Sequence, residues 1–503
     1  MSAARPVTSP DASAFGKSRA CFEEIVGWLE GADAVSLTHG ELEDDLDRRG
    51  RHLLLGLLQD HLDLRARQEQ RTDVVDPDGV RHGSVEAGHC RTLATIFGKV
   101  TVERLAYRHR GTANLHPADA SLNLPAERHS HGLGRLAAIE STRGSFDDAV
   151  EAINRDTGVP VPKRQAEQLA SRAASDIEDF YATRQHAPAQ EGDVLVISAD
   201  GKGIVMRPEH LRPATATKAA TASPKLQTRL SKGEKRSRKR LAEVGTVYDI
   251  TPVPRSAEEV MARAGTTGTA PPAPAAKNKW VTASVADDAA EVIAQVFDEA
   301  QRHDPANGRT WVALVDGNNH QIDRIEAEAA ARGITLTIVV DLIHVLEYLW
   351  GAAWSFYDEG NPGAETWVHD RAIAVLQGHA KDVAAGIRRR ATTGRLPKAQ
   401  RTKADEAARY LTNKAPYLDY PTALAAGWPI ATGVIEGACR YIVKDRMDIT
   451  GARWSVQGAE AVLKLRAVRA NGDFNAYWQH HLACEHHRNH RSGYQNGTIP
   501  AAA

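Results

Sequence analysis

The chain has 503 residues, 42% hydrophobic and 25% charged, the proportions of a soluble globular protein, and its length predicts roughly three domains rather than one core. Its 63 Lys and Arg balance 64 Asp and Glu, so a formal net charge of -1 exerts no global pull on nucleic acid and any such contact must come from local patches. No run reaches the ~18 apolar residues that cross a bilayer, and MSAARPVTSPDASAFGKSRA lacks the apolar stretch of a secretory signal, which predicts a cytoplasmic protein.

Segment 1–85 reads as amphipathic helices, CFEEIVGWLEGA and ELEDDLDRRGRHLLLGLLQDHLDLRARQEQ, with apolar residues at three- and four-residue steps; the second is long enough to pack against a partner helix. In segment 86–190, RTLATIFGKVTVERLAYRHR alternates on either side of Gly98-Lys99, the pattern of a β-hairpin. From Ser145 a helix, a turn at Gly158 and Pro160, and a second helix opening with Lys163, Arg164 and Gln165 outline a helix-turn-helix, whose second helix offers its first residues to base edges. Helical hairpins of this outline also occur in proteins that never touch DNA.

Segment 191–343 alternates strands and helices. VLVISADGKGIVM, LAEVGTVYDITPV and KWVTASV read as three strands, followed by the helix AAEVIAQVFDEAQRH, the strand RTWVALVDG, the helix HQIDRIEAEAAARG and the strand ITLTIVVD. That order predicts a ribonuclease-H-like core within a multidomain α+β chain. An insertion at 212–240 lacks apolar periodicity and ends in KLQTRLSKGEKRSRKR, where Lys235, Arg236, Arg238, Lys239 and Arg240 would attract a DNA backbone without regard to sequence. Segment 344–432 is helical throughout in its pattern, and Trp350, Trp354 and Trp367 predict a small core of its own. Segment 433–503 returns to the catalytic core and ends in a His-rich tail.

Asp200 and Asp316 each lie at the end of an apolar strand, and Glu436 comes later, on a helix in GVIEGACRYIVKDRM. Three acids so placed can hold two divalent cations roughly 3.5–4 Å apart for in-line phosphoryl transfer, and hard Mg²⁺, or Mn²⁺ in its place, prefers such carboxylates. Asp341 ends the next strand, 25 positions after Asp316, and competes for the second place.

The strings SADGKG, VDGNNHQ, VVDLIHVLEYLW and GVIEGACRYIVKDRMDITGARWS resemble bacterial insertion-sequence transposases of the ISKra type, relatives of the ISL-type and Mutator-like DDE transposases, over about residues 87–490. The most specific block is Ile435-Glu436-Gly437 with Lys444, Arg446-Met447, Gly451 and Trp454. The resemblance implies that Asp341 and His344 form a separate Asp-x-x-His motif with an organising or DNA-contacting role, leaving Asp316 as the second catalytic acid. It further implies Mg²⁺-dependent cleavage at terminal inverted repeats, joining of 3′-hydroxyls to target DNA, and a homodimer or higher oligomer that brings two ends together. A DNA-binding protein that has lost cutting, or a ribonuclease-H-fold nuclease, are the alternatives.

Around these acids, Lys202 shares a strand face with Asp200 and could approach a phosphate. Lys444 and Arg446 lie two to three helical turns beyond Glu436 and could clamp one, Arg446 bidentately, unless they pair with Asp445 or Asp448. For His344 the plain alternative is a hydrogen bond to Asp341. Cys21, Cys90, Cys439 and Cys484 show no CxxC spacing, which predicts buried reduced thiols. His480, His481, Cys484, His486, His487 and His490 crowd the tail without the spacing of a standard zinc finger, so no metal is assigned there.

Overall fold

The computed structural model describes residues 14–184, 189–221, 228, 238–262, 271–449 and 451–501. The chain forms two compact units, Met1–Phe180 with Asn475–Ala503, and Tyr181–Phe474. The His-rich tail, read from sequence with the last part of the catalytic core, therefore belongs to the first unit.

In the first unit the His39–Gln68 helix opens with a capping box between Thr38 and Glu41 and packs on a hairpin of β1 (Ser84–Thr95) and β2 (Gly98–Arg108). The hairpin is longer than its alternating core predicted, it turns at Ile96-Phe97, and an irregularity between Glu86 and His89 bends β1. Leu62, Leu93, Val100, Val102 and Leu124 form the core beneath. The expected helical pair is present as Phe146–Thr157 and Lys163–Ala173, with Gly158 at φ 68° ending the first helix. A third helix, His131–Ser141, completes this group around Leu133, Ile153, Val161 and Leu169. The helix Phe474–Asn489 joins it through ion pairs of Glu485 with Arg172, and of Asp176 with Arg488 and His481.

The second unit is built on a five-stranded mixed sheet in the order β5-β4-β3-β6-β7. Its strands are β3 (Val194–Val205), β4 (Lys239–Ile250), β5 (Ala276–Ser284), β6 (Trp311–Val315) and β7 (Leu336–Val340). β4 runs antiparallel to β3 and β5, whereas β3, β6 and β7 are mutually parallel. Every residue of β6 is buried, as expected of a parallel strand covered on both faces. The Ala289–His303 helix packs across β4 and β3 so closely that a Cβ on Gly245 would stand 2.3 Å from Val296 Cγ2.

Two expectations about the 212–240 insertion change. Pro213–Thr221 is a helix although its Ala-Thr repeat carries no apolar stripe, and Lys239 and Arg240 lie inside β4, paired with Val205 and Ile204. Arg238 is described and exposed; Lys235 and Arg236 lie outside the described residues. The 344–432 segment is helical as expected, in Leu342–Ala353, Pro362–Leu376, Ala380–Thr393, Lys398–Lys414 and Tyr420–Ala425. Its core is alanine-rich, with Ala391, Ala404, Ala407 and Ala408 buried beside Ile387 and Leu411. Trp367 is buried against Phe356, but Trp354 stacks on Trp350 and remains 45% exposed. All four cysteines are free, and only Cys439 is buried; Cys90 is exposed.

Gly245→Ala should lower stability by roughly 1–3 kcal/mol, the usual cost of overpacking. Chemical denaturation of Gly245→Ala, Val296→Ala and the double variant should show the double costing less than the sum, because the second truncation vacates the space the first demands.

Candidate functional site

The sheet register assembles the site. β3 and β6 pair Ser198 with Leu314, and β6 and β7 pair Val315 with Val340. Two residues past the first pair stand Asp200 and Asp316, and one past the second stand Asp316 and Asp341. The three acids thus stand at one height across three adjacent parallel strands about 4.8 Å apart. Asp316 and Asp341 lie just past the ends of β6 and β7, whereas Asp200 is not at a strand end, as the sequence suggests, but within β3, which runs on to Val205 paired with β4. The Asp341 amide continues the ladder by donating to the Val315 carbonyl at 2.8 Å.

Each carboxylate is held differently. Asp200 accepts from the Gly201 amide at 2.7 Å and from the Cys439 thiol at 3.3 Å. Burial, and then the neighbouring Asp316 charge, raise its pKa against the opposing pull of those bonds and of Lys202. Burial and Asp200 likewise push the Cys439 thiol up, so it stays a protonated donor. On β4, Glu243 faces Gly201 across the ladder, and its pKa is raised by burial first and by Asp200 second.

Asp316 accepts from the Asn318 amide at 2.8 Å, and its carbonyl accepts from the Tyr410 hydroxyl at 3.2 Å. The next residue, Gly317, has φ 90°, and a Cβ there would stand 2.6 Å from that hydroxyl, so both backbone and space require glycine.

Asp341 is fully buried, caps the Leu342–Ala353 helix through the Ile343 amide at 2.9 Å, and accepts from Thr432 Oγ1 at 2.6 Å. The same hydroxyl lies 3.2 Å from Glu436 Oε1, and its one proton serves one carboxylate at a time. Ligand atoms of Asp341, His344 and Glu436 all lie within 4.8 Å of one another. Glu436 thus meets, within reach of a single ion, the acid that the resemblance gave an auxiliary role. His344 Nδ1 contacts Glu347 Oε2 at 3.1 Å, not Asp341.

Glu436 is exposed on the short Gly433–Ala438 helix, which widens into a π-helical turn at Cys439–Lys444. Arg466 donates to the carbonyls of Ile442, at 2.8 Å, and Tyr441, satisfying acceptors of the wide turn. This turn carries Cys439 towards Asp200 and leaves Lys444 exposed.

Among the other residues singled out by sequence, Lys202 and Arg164 are exposed and Gln165 is half-buried. Lys163 is exposed but pairs with Asp147 at 2.6 Å. Arg446 is only 2% exposed, with its guanidinium 4.7 Å from the Trp454 ring centre; it supports the core and presents no fork to a surface phosphate. Arg240 donates to the Ala286 carbonyl at 2.9 Å, which fixes its place on β4.

Sequence reasoning missed Thr432, Cys439, Glu243 and a cleft of about 470 Å³ beside Asp316, lined by Gly317, Asn319, Tyr348, Glu406, Arg409, Tyr410, Asn413 and Lys414. Tyr348 and Tyr410 stack there with ring centres 3.9 Å apart. Between residues 380 and 414 stand ten Lys or Arg and three Asp or Glu, a charge excess that was legible in the sequence but dispersed along two helices.

Among the described residues, none of Asp200, Asp316, Asp341 and Glu436 forms an ion pair with Lys or Arg. A partly buried set of carboxylates without an ion-paired Lys or Arg fits hard divalent cations such as Mg²⁺ or Mn²⁺. Because the fold raises the Asp200 carboxyl above its ordinary value of 3.8, its charge weighs on stability as pH rises through 3.8 and most heavily above the raised folded value. Asp200→Asn should therefore stabilise the metal-free protein at pH 7 by roughly 0.5–2 kcal/mol, with no gain below about pH 4. Melting temperatures with and without Mg²⁺ check this: the cation should raise that of the natural chain and leave that of the variant nearly unmoved.

The chain matches no protein-family model and no curated protein.

Proposed function

We propose that the chain is a DDE transposase whose second unit cleaves DNA at element ends and joins the freed 3′-hydroxyls to target DNA. The observation that carries this reading is the shared height of Asp200 and Asp316 on adjacent parallel strands, with Asp341 beside them and Glu436 arriving from a helix beyond a helical insertion. The order β5-β4-β3-β6-β7, with only β4 reversed among its neighbours, supports a ribonuclease-H-like core.

Asp200, Asp316 and Glu436 would hold two Mg²⁺ ions, with Asp341 and His344 supporting Glu436. When bound, such ions lower the pKa of an attacking water or 3′-hydroxyl and stabilise the leaving oxygen. Cys439 orients Asp200 through its thiol proton, and the Thr432 hydroxyl stands between Asp341 and Glu436, donating to one of them at a time. Exposed Lys202 and Lys444, with the basic helices Ala380–Thr393 and Lys398–Lys414, supply cations for a phosphate backbone. In the first unit, Lys163, Arg164 and Gln165 at the start of their helix are the residues for reading terminal repeats. Exposed Phe22, Leu46, Leu54 and Leu57 on the amino-terminal helices suit the contact of two copies on paired DNA ends.

Strand transfer from oligonucleotides that carry the inverted repeats flanking the reading frame into a plasmid, in Mg²⁺, tests the proposal. Asp200→Ala, Asp316→Ala and Glu436→Ala should each reduce joining by more than the roughly 10–100-fold that loss of an outer-sphere partner costs, and Asp341→Ala should fall within that range. If Asp341→Ala abolishes cleavage while Asp316→Ala retains it, the assignment of the second acid is wrong. Cleaved ends without joined product would instead identify a nuclease, and binding without cleavage a DNA-binding protein.

A further inference from the structure

Three groups of side chains in the described residues can each bring three ligand atoms within 4.8 Å, and one of them is Asp341, His344 and Glu436 of the site above. The second, Asp176, His481 and Glu485, is fully buried, and its carboxylates are already matched by Arg172 and Arg488. A cation there would add charge to a neutralised cluster. The third group, Asp179, His480 and Cys484, lies on the outer side of the same helix pair.

Its geometry is that of a tetrahedral ion's ligand set. His480 and Cys484 stand four positions apart on the Phe474–Asn489 helix and so share one face. His480 Nε2 lies 3.0 Å from Asp179 Oδ2 and 3.4 Å from Cys484 Sγ, and Cys484 Sγ lies 4.0 Å from Asp179 Oδ2. Bonds of about 2.0–2.3 Å from zinc to nitrogen, oxygen and sulfur place tetrahedral ligands about 3.3–3.8 Å apart, so movements of a few tenths of an ångström convert the three contacts into three edges of a coordination tetrahedron. The His480 ring meets the Phe180 ring edge-on at 5.7 Å, which restricts its rotation. A neutral imidazole, a thiolate and a carboxylate together match the charge of one divalent ion, and they combine the soft and borderline donors that favour zinc over magnesium.

We propose that Asp179, His480 and Cys484 bind one Zn²⁺-class transition-metal ion, with water completing the tetrahedron. Binding displaces the Cys484 thiol proton to solvent and forms the metal–sulfur bond, with no change of oxidation state. Asp179 belongs to the Ile177–Thr183 helix, along which the chain leaves the first unit, and His480 and Cys484 belong to the helix by which it returns. The ion would clasp those two helices at the surface, in addition to the ion pairs that Arg172 and Asp176, both before the first helix, make with the second. The ligands are hidden from sequence inspection because Asp179 and His480 lie 301 positions apart.

Cobalt titration of the full-length protein, stripped of metal by chelation and kept reduced, tests the site. The natural chain should develop a thiolate-to-cobalt charge-transfer band and tetrahedral d–d bands at one equivalent, both bleached by Zn²⁺. Cys484→Ser and His480→Ala should lose the charge-transfer band, and Asp179→Asn should weaken binding roughly tenfold or more. Cys90→Ser, Cys21→Ser and Glu436→Gln should keep it. Zn²⁺ should also raise the melting temperature of the natural chain and of Glu436→Gln but not of His480→Ala, a readout available for any variant that folds. Absence of the charge-transfer band in the natural chain, or its persistence in Cys484→Ser, would overturn the proposal.

Discussion

Parallel pairing of β3, β6 and β7 is the constraint on which the second unit's acidic cluster depends. Once Ser198 sits beside Leu314 and Val315 beside Val340, the register must present Asp200 within β3 beside Asp316 and Asp341 past the ends of β6 and β7, whatever the cost of gathering like charges. The fold moderates that cost with neutral donors: backbone amides at Gly201, Asn318 and Ile343, the Cys439 thiol and the Thr432 hydroxyl. None of these cancels the charge, so the cluster retains the negative charge that a bound cation would offset. A local arrangement that works against stability beside the fully buried β6 is the pattern expected of a functional site.

Much of this was legible in the amino-acid sequence alone. The apolar runs around Asp200, Asp316 and Asp341 marked three strands by their shortness and β-branched content, although of the three only β6 is buried along its whole length and β7 carries the exposed Thr337. The helix pair at Phe146–Thr157 and Lys163–Ala173 announced itself through a capping serine, an apolar stripe and Gly158. Thr432 and Cys439 stayed hidden, since a lone hydroxyl or thiol has no signature until its partner, 91 or 239 positions away, is known. Arg446 misled because charge implies exposure, whereas here the Trp454 ring covers it. Pro213–Thr221 forms a helix without an apolar face, so periodicity had nothing to detect.

The first unit is closed by the end of the chain. Arg172, Asp176, His481, Glu485 and Arg488 form one buried or half-buried network, and Tyr477 donates to the Ala173 carbonyl beside it. Taking one member from such a network strands its partner's charge away from water, which typically costs more than the intact pair contributes. Three other histidines of the tail have ordinary structural duties: His481 pairs with Asp176 in that network, and His486 and His490 contact the carbonyls of Ala120 and Leu124.

The π-helical turn after Glu436 also restricts how the chain can change in length. An α-helix advances 1.5 Å and rotates about 100° per residue, so deleting one residue from Cys439–Lys444 to restore ordinary winding would swing the segment before the turn around the axis relative to the segment beyond it. Downstream, Trp454 is bound to β3 by its amide on the Val205 carbonyl and by its carbonyl on the Arg207 amide. With that end anchored, the rotation would fall on the glutamate itself and on Cys439. Single-residue gaps should consequently be far less tolerable in this stretch than substitutions, and the spacing from Glu436 to Met447 becomes a ruler set by winding rather than by side-chain identity.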